Sequence, residues 1–199
     1  MRAEERRYYD LRAPEYDEWY LGVGRFEGIE RPGWDEELAG LFGVIAALAP
    51  ARVLDVACGT GFLTQHLRGE ITAIDQSETM LAIARGRCPD ATFVHADALA
   101  LPFADGSFDR VFTGHFYGHL GDEHRQRFLT EARRLAAELV VVDTAVRPGV
   151  GREEINERVL NDGSRYDVYK RYFDANELAE ELGGGGVLHA GEWFVVAAA

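Results

Sequence analysis

The sequence predicts one α/β domain built on a seven-stranded, mostly parallel sheet, with helices on both faces and an antiparallel hairpin at its C-terminal edge. Three observations predict it. Apolar runs of strand length alternate with segments of helical period, the β–α repeat that a parallel sheet requires. One run, Val53 to Val56, turns through Gly59 and Gly61 into the amphipathic stretch Phe62 to Leu67. Such a strand–glycine turn–helix unit gathers backbone N–H groups and a helix N-terminus at the carboxyl edge of a sheet. The third observation is a closing pair of runs, Val187 to Ala190 and Glu192 to Ala198, which read as a hairpin around Gly191.

The elements follow in order. Residues Glu4 to Tyr20 are unusually aromatic, and Pro14 divides them into a short helix and a second turn, with Tyr16, Trp19 and Tyr20 on one face. Leu21 to Gly33 is a glycine-rich connection. Trp34, Leu38, Leu41, Phe42, Ile45 and Leu48 recur at helical intervals, and Pro50 ends that helix. After the glycine turn come a second strand, Glu70 to Ile74, a helix over Ser77 to Arg85, and a third strand, Thr92 to His95. Asp109 to Thr113 is the fourth strand, followed by a crest from Thr113 to Leu120. Phe128, Leu129, Ala132 and Leu135 mark the next helix, with Asp122 as its expected N-cap. Glu138 to Thr144 is a buried fifth strand with Asp143 at the same edge. Asp174 to Glu177 reads as a capping box for a helix that runs to Leu182 and ends in four glycines.

Bulk properties bound the function. The 199 residues carry a net charge of −13 with no basic block, which disfavours a nucleic-acid partner. Hydrophobic residues at 47% and charged residues at 28% are ordinary for a soluble globular domain. Cys58 and Cys88 show no metal-binding spacing, so neither a metal site nor a disulfide framework is expected and a reducing, cytoplasmic setting is. Met1 to Arg7 is charged, and the longest apolar run, Leu41 to Ala51, is too short to span a bilayer. Oligomeric state is not legible.

Asp55-Val56-Ala57-Cys58-Gly59-Thr60-Gly61 resembles the first motif of class I methyltransferases that use S-adenosylmethionine (SAM). The resemblance continues at the intervals that family shows. Ile71 to Leu81, with Asp75, Gln76 and Met80, is similar to its second strand and ribose-binding acid. His95 to Leu99 is similar to its adenine-contacting turn, and Leu101 to Asp109 to its lead-in to strand four. These four motifs cover about Arg52 to Thr144, and they are similar to those of small-molecule enzymes of the ubiquinone and menaquinone type. Ala57 departs from the pattern, standing where the family usually has its first glycine, and it calls for a backbone that alanine tolerates.

The resemblance implies SAM as cofactor and S-adenosylhomocysteine as product. Gly59 and Gly61 permit close backbone approach to the ligand, and Asp55 could attract its ammonium. Asp75, twenty residues beyond Asp55, stands where a carboxylate bonds ribose hydroxyls in Rossmann-like folds. Asp97 and Ala98 match the family's adenine contacts, and Met80 offers an apolar face. Tyr9 to Asp17 is similar to the N-terminal lid of small-molecule members, which places Tyr16 over the cleft.

Substrate chemistry is expected just past strand four. His119, or else His115, is the candidate base or orienting group, with Tyr117 beside it. Between strand five and the last helix, the insertion 146–172 is expected to complete a helical lid with the N-terminus. Its Arg147, Arg165, Tyr169, Lys170, Arg171 and Tyr172 could grip a carboxylated or phosphorylated molecule, or form surface ion pairs with Glu153, Glu154 and Glu157. Tyr117, Arg147 and Tyr172 are the candidate substrate residues.

The expected division is a lid (1–33), a cofactor core (34–145), a substrate cover (146–172) and a C-terminal helix with edge strands (173–199). The expected activity is methyl transfer from SAM to a small metabolite. A non-catalytic SAM-binding sensor is the alternative. An NAD-dependent oxidoreductase fits Asp75 but not Asp55, the missing third glycine of GxGxxG, or the lack of a Tyr-x-x-x-Lys pair.

Overall fold

The computed structural model describes residues 3–199, with side chains from Arg6 onward; Met1 and Arg2, part of the charged start, lie outside the described residues. The chain opens with α1 (Ala3–Arg12), a 3-10 turn over Ala13–Glu15 and α2 (Glu18–Leu21), divided at Pro14 as expected. The helix α3 (Trp34–Ala47) leads into β1 (Ala51–Val56), β2 (Gly69–Asp75), α4 (Glu78–Arg87) and β3 (Thr92–His95). Then come β4 (Arg110–Gly114), α5 (Asp122–Leu135), β5 (Glu138–Thr144), β6 (Glu153–Val159), β7 (Arg165–Arg171), α6 (Ala175–Leu182), β8 (Gly186–Ala190) and β9 (Phe194–Ala198).

Seven strands form one sheet in the order β3-β2-β1-β4-β5-β9-β8. The first five are parallel, and β9 returns antiparallel between β5 and β8. The order reverses between β1 and β4, so the connections leaving those strands part and open a crevice at the carboxyl edge. Alternation along each strand feeds two cores. Leu54, Val56, Val111 and Val141 pack with Phe128, Leu129 and Leu178 from α5 and α6. Val53, Phe112, Val140 and Val142 pack on the other face with Leu41 and Ile45 from α3.

The structure corrects several expectations. Phe62 to Leu67 does not form a helix, only a 3-10 turn at Thr64–His66. The chain must return to start β2 at Gly69, whose φ of +115° brings it against β1: a Cβ there would lie 2.1 Å from the Ala51 carbonyl oxygen. The 146–172 insertion is not helical. It is a separate antiparallel hairpin of β6 and β7, in register from Glu153↔Arg171 to Val159↔Arg165, turning at Gly163 with φ of +84°. Cross-strand pairs such as Ile155↔Tyr169 and Arg158↔Tyr166 suit a pleated ribbon better than a helix. Gly121, not Asp122, caps α5, and the Asp122 carboxylate turns to Arg125 instead. Asp174 caps α6 by accepting from the amides of Asn176 and Glu177, but the Glu177 side chain is taken by Arg152, so the capping box stays half made.

The N-terminal segment is tied to both halves of the molecule. Asp17 accepts from Thr60 Oγ1 in the glycine turn and pairs with Arg87 on α4, each at 2.5 Å. Ser77 Oγ donates to Asp10 at 2.5 Å. Toward the hairpin, Asn161 donates to Glu15 and Glu18, and the Tyr8 and Tyr166 rings meet at 5.1 Å.

Candidate functional site

Beyond Val56 the backbone passes through three left-handed residues, Ala57 (φ +58°), Gly59 (+54°) and Gly61 (+75°). The glycines adopt this freely. Ala57 does not, so the expectation of an alanine-tolerant backbone is corrected: the turn keeps a glycine-like conformation at a residue with a Cβ, at a cost of about 1–2 kcal/mol. The Gly59 amide donates to Asp75 Oδ2 and the Ser77 amide to Asp75 Oδ1, each at 2.9 Å, which locks the end of β2 to the turn. Burial raises the Asp75 pKa and these amide donors hold it back.

This turn forms one wall of a cleft of about 850 Å³ at the carboxyl edge. Eight of the ten expected cofactor residues line it: Tyr16, Ala57, Gly59, Asp75, Gln76, Met80, Asp97 and Ala98. Tyr16 lies over the turn, its ring carbon 3.7 Å from where a Gly59 Cβ would stand, and burial pushes its hydroxyl pKa up to about 12. Asp97, exposed at the end of β3, accepts from the Leu99 amide at 2.9 Å. The other two do not reach the cleft. Asp55 is 2% exposed behind the turn, accepts from Thr64 Oγ1 at 2.6 Å, and has its pKa raised by burial to about 7, partly offset by that bond. Gly61 instead makes room for α4, since a Cβ would lie 3.2 Å from that of Ala84.

Both histidines sit where the cleft continues into a second cavity of about 510 Å³. The ring nitrogen Nδ1 of His119 lies 2.7 Å from the Tyr169 carbonyl oxygen. A carbonyl only accepts, so Nδ1 carries the proton and Nε2 keeps a free lone pair. Burial and then the Lys170 ammonium lower the His119 pKa to about 3. His115 is held with φ of +56° between the rings of Trp19, Tyr20 and Phe194, and its Nε2 is buried with no partner among the described residues. Burial lowers its pKa to about 4. At neutral pH both rings are uncharged.

The three candidate substrate residues do not line either cavity. The 3-10 turn Tyr117–His119 carries the Tyr117 ring inward against Phe128 and Phe173, where its hydroxyl donates to Glu181 at 2.7 Å. The Arg147 guanidinium lies 4.1 Å over Trp193, and the Tyr172 hydroxyl accepts from Asn156. Arg165 and Arg171 form ion pairs with Glu157 and Glu181. Asp143 is fully buried at the end of β5, bonded by Lys170 Nζ at 2.5 Å and by the amides of Gly118 and Thr144 at 2.7 Å. Burial would raise its pKa, but Lys170 and the other donors leave it below the ordinary value. Sequence reasoning missed Tyr9, Arg12 and Arg158 on the cavity walls. Only Tyr9 carried a signal, as the first residue of the lid-like motif.

Among the described residues no group of three His, Cys, Asp or Glu could hold a metal ion, and no helix is long and apolar enough to cross a membrane.

Comparison with known proteins agrees with this geometry. A methyltransferase domain family matches residues 53–138. The chain is 39% identical over 97 residues to a demethylmenaquinone methyltransferase of Thermotoga maritima, a match covering 46% of this chain and 42% of that protein. It is 46% identical over 65 residues to a malonyl-[acyl-carrier protein] O-methyltransferase of Erwinia pyrifoliae, covering 31% of this chain and 25% of that one. The matches therefore span less than half the length of these curated relatives. Among solved structures it is similar to a complex of DhpI with SAM and HEP, at 26% identity and a TM-score of 0.76, covering 96% of this chain and 93% of that one. By its strand order, its glycine turn and these likenesses, the chain is similar to class I SAM-dependent methyltransferases, and its residues 53–138 match a methyltransferase domain.

Proposed function

We propose that the protein transfers the methyl group of SAM to a small-molecule acceptor. The observation that carries this reading is the cleft itself, where a left-handed glycine turn and the carboxylates ending β2 and β3 converge beside two neutral histidines. The lining suits such a ligand. The Asp75 carboxylate accepts the backbone amides of Ser77, Gly59 and Gln76 and, with about four acceptor sites, keeps capacity for one ribose hydroxyl. Asp97 and the Ala98 backbone suit an adenine edge, Met80 supplies an apolar face, and Tyr16 covers the turn. SAM supplies a methyl carbon on a positively charged sulfur, displaced in line to leave S-adenosylhomocysteine. The protein's task is alignment, exclusion of water by the lid, and receipt of a proton where the nucleophile carries one. His119 Nε2 is the base we assign to that proton; to His115, whose Nδ1 lies 3.4 Å from Thr144 Oγ1, we assign an orienting role.

The division into lid, core, cover and C-terminal edge is part of the same reading, with 1–33 and 146–172 closing over 34–145. Two free cysteines fit a reducing cytoplasm, and the acidic surface fits a small molecule better than a nucleic acid. The polar second cavity favours an enzyme over a SAM sensor, and the commitment of Lys170 to Asp143 leaves no lysine for hydride chemistry.

Calorimetric titration with SAM and S-adenosylhomocysteine, with NAD as control, tests the reading. Micromolar binding of both adenosyl ligands, weakened at least tenfold by Asp75→Asn, is expected. Binding of NAD alone would replace it with the oxidoreductase.

A further inference from the structure

The second cavity has a charge composition opposite to that of the chain. In a protein of net charge −13, no carboxylate lines this space, while Arg12, Arg158 and Lys170 all do. The three cations come from separate elements: α1, β6 and β7. They are not equivalent. Lys170 is matched by the buried carboxylate of Asp143. Arg12 and Arg158 form no ion pair among the described residues. One Arg12 nitrogen, Nη1, donates to the Tyr8 hydroxyl at 2.5 Å, but Nε is buried with no partner. The Arg158 side chain, half-buried, makes no hydrogen bond among the described residues. Two guanidinium groups facing one cavity without a carboxylate are only partly compensated: Arg12 has the Tyr8 hydroxyl and lies 5.7 Å and 5.2 Å from the Tyr8 and Tyr16 rings, and Arg158 keeps part of its hydration. A bound anion completes that compensation, and a guanidinium presents the fork of donors that phosphate and carboxylate oxygens accept.

The cavity is also placed for chemistry. It shares Tyr9, Tyr16, His115 and His119 with the cofactor cleft, so a molecule anchored at the arginines would reach toward the methyl donor past His119 Nε2. The matched methyltransferase family ends at residue 138 and starts at 53, so it includes none of the three cations.

We propose that the methyl acceptor is a small anion, a phosphate, phosphonate or carboxylate, anchored through its charged group by Arg12 and Arg158. The proposal rests on the methyltransferase reading above. In the reaction, a bond forms between the acceptor's nucleophilic atom and the methyl carbon. The carbon–sulfur bond breaks with its electron pair left on sulfur, and any proton on the nucleophile passes to His119 Nε2.

The test is a calorimetric titration of the protein saturated with S-adenosylhomocysteine, using methylphosphonate, acetate and the neutral dimethyl ester of methylphosphonate. At least one anion should bind and the neutral ester should not. Arg158→Gln should weaken the anion at least tenfold and Arg158→Lys should recover part of that loss, with S-adenosylhomocysteine affinity within twofold of wild type in both. Preference for methylphosphonate or for acetate assigns the phosphorus or carboxylate class. If S-adenosylhomocysteine binds normally but neither anion does, or the ester binds equally, or Arg158→Gln binds the anion like wild type, the anionic acceptor is wrong and the methyltransferase reading stands. If wild type fails to bind S-adenosylhomocysteine, the methyltransferase reading itself fails.

Discussion

The cleft to which we assign the cofactor and the cavity to which we assign the acceptor are built in opposite ways. On the cofactor side, Ala57, Gly59, Asp75 and Asp97 come from strand ends and turns fixed by the sheet, and backbone amides do much of the bonding. On the acceptor side, His115, His119 and Thr144 come from the sheet edge, but the cationic walls come from a helix near the start of the chain and a hairpin near its end, joined by side chains. The first arrangement presents a constant surface to a constant ligand. The second can change its lining without disturbing the sheet, which is how one scaffold serves many acceptors.

The sharpest way to break this contrast is Lys170→Met. It leaves Asp143 buried without its cation and should destabilise the protein by about 3–5 kcal/mol, read by urea unfolding. If the two sides are independent, S-adenosylhomocysteine affinity at a temperature where the variant is folded should hold within threefold. A parallel collapse of cofactor binding would show that the hairpin supports both.

His119→Ala probes the junction. Turnover should fall at least tenfold with cofactor affinity intact, and loss of less than that would remove the base role. The pH profile sharpens the point. Both histidines have folded pKa values below the ordinary 6.5, so their contribution to stability is full above pH 6.5 and is lost as pH falls through about 4 and about 3. Turnover should therefore show no histidine step between pH 6 and 8, while the melting temperature should decline on the acid side of 6.5.

How much of this was legible in the sequence follows from distance along the chain. Asp55 to Gly61 is seven consecutive residues, and strand, turn and acid can be read together. The acceptor wall cannot, because Arg12 and Arg158 meet only after folding. Lys170 was conspicuous as the single lysine of the chain, yet its burial against Asp143 depends on the register of the hairpin. Tyr117 went astray for a local reason: the 3-10 turn after Phe116 rotates its ring into the core, and the two flanking histidines gave no hint of that. The hairpin was hidden because its strands mix charged and aromatic residues on both faces, with no clean alternation of apolar and polar.

The smallest expected effect lies in the cofactor turn. Ala57→Gly should raise stability by about 1 kcal/mol by relieving the left-handed strain, a gain in part offset by the greater freedom of glycine in the unfolded chain. An upward shift of a few degrees in melting temperature, with cofactor binding unchanged, is the outcome to look for. A fall would mean that the alanine methyl group packs usefully against the cleft.

The clasp between the lid and the hairpin, Glu15 and Glu18 on Asn161 and the ring of Tyr8 on Tyr166, bears on how acceptor preference can be altered. Because each arm supplies part of one wall and positions the other, substitutions on the two arms will not add. Redirecting the protein to a new acceptor by exchanging one arm from a homologue should yield a mismatched enclosure, whereas transplanting both arms together should carry the selectivity with them.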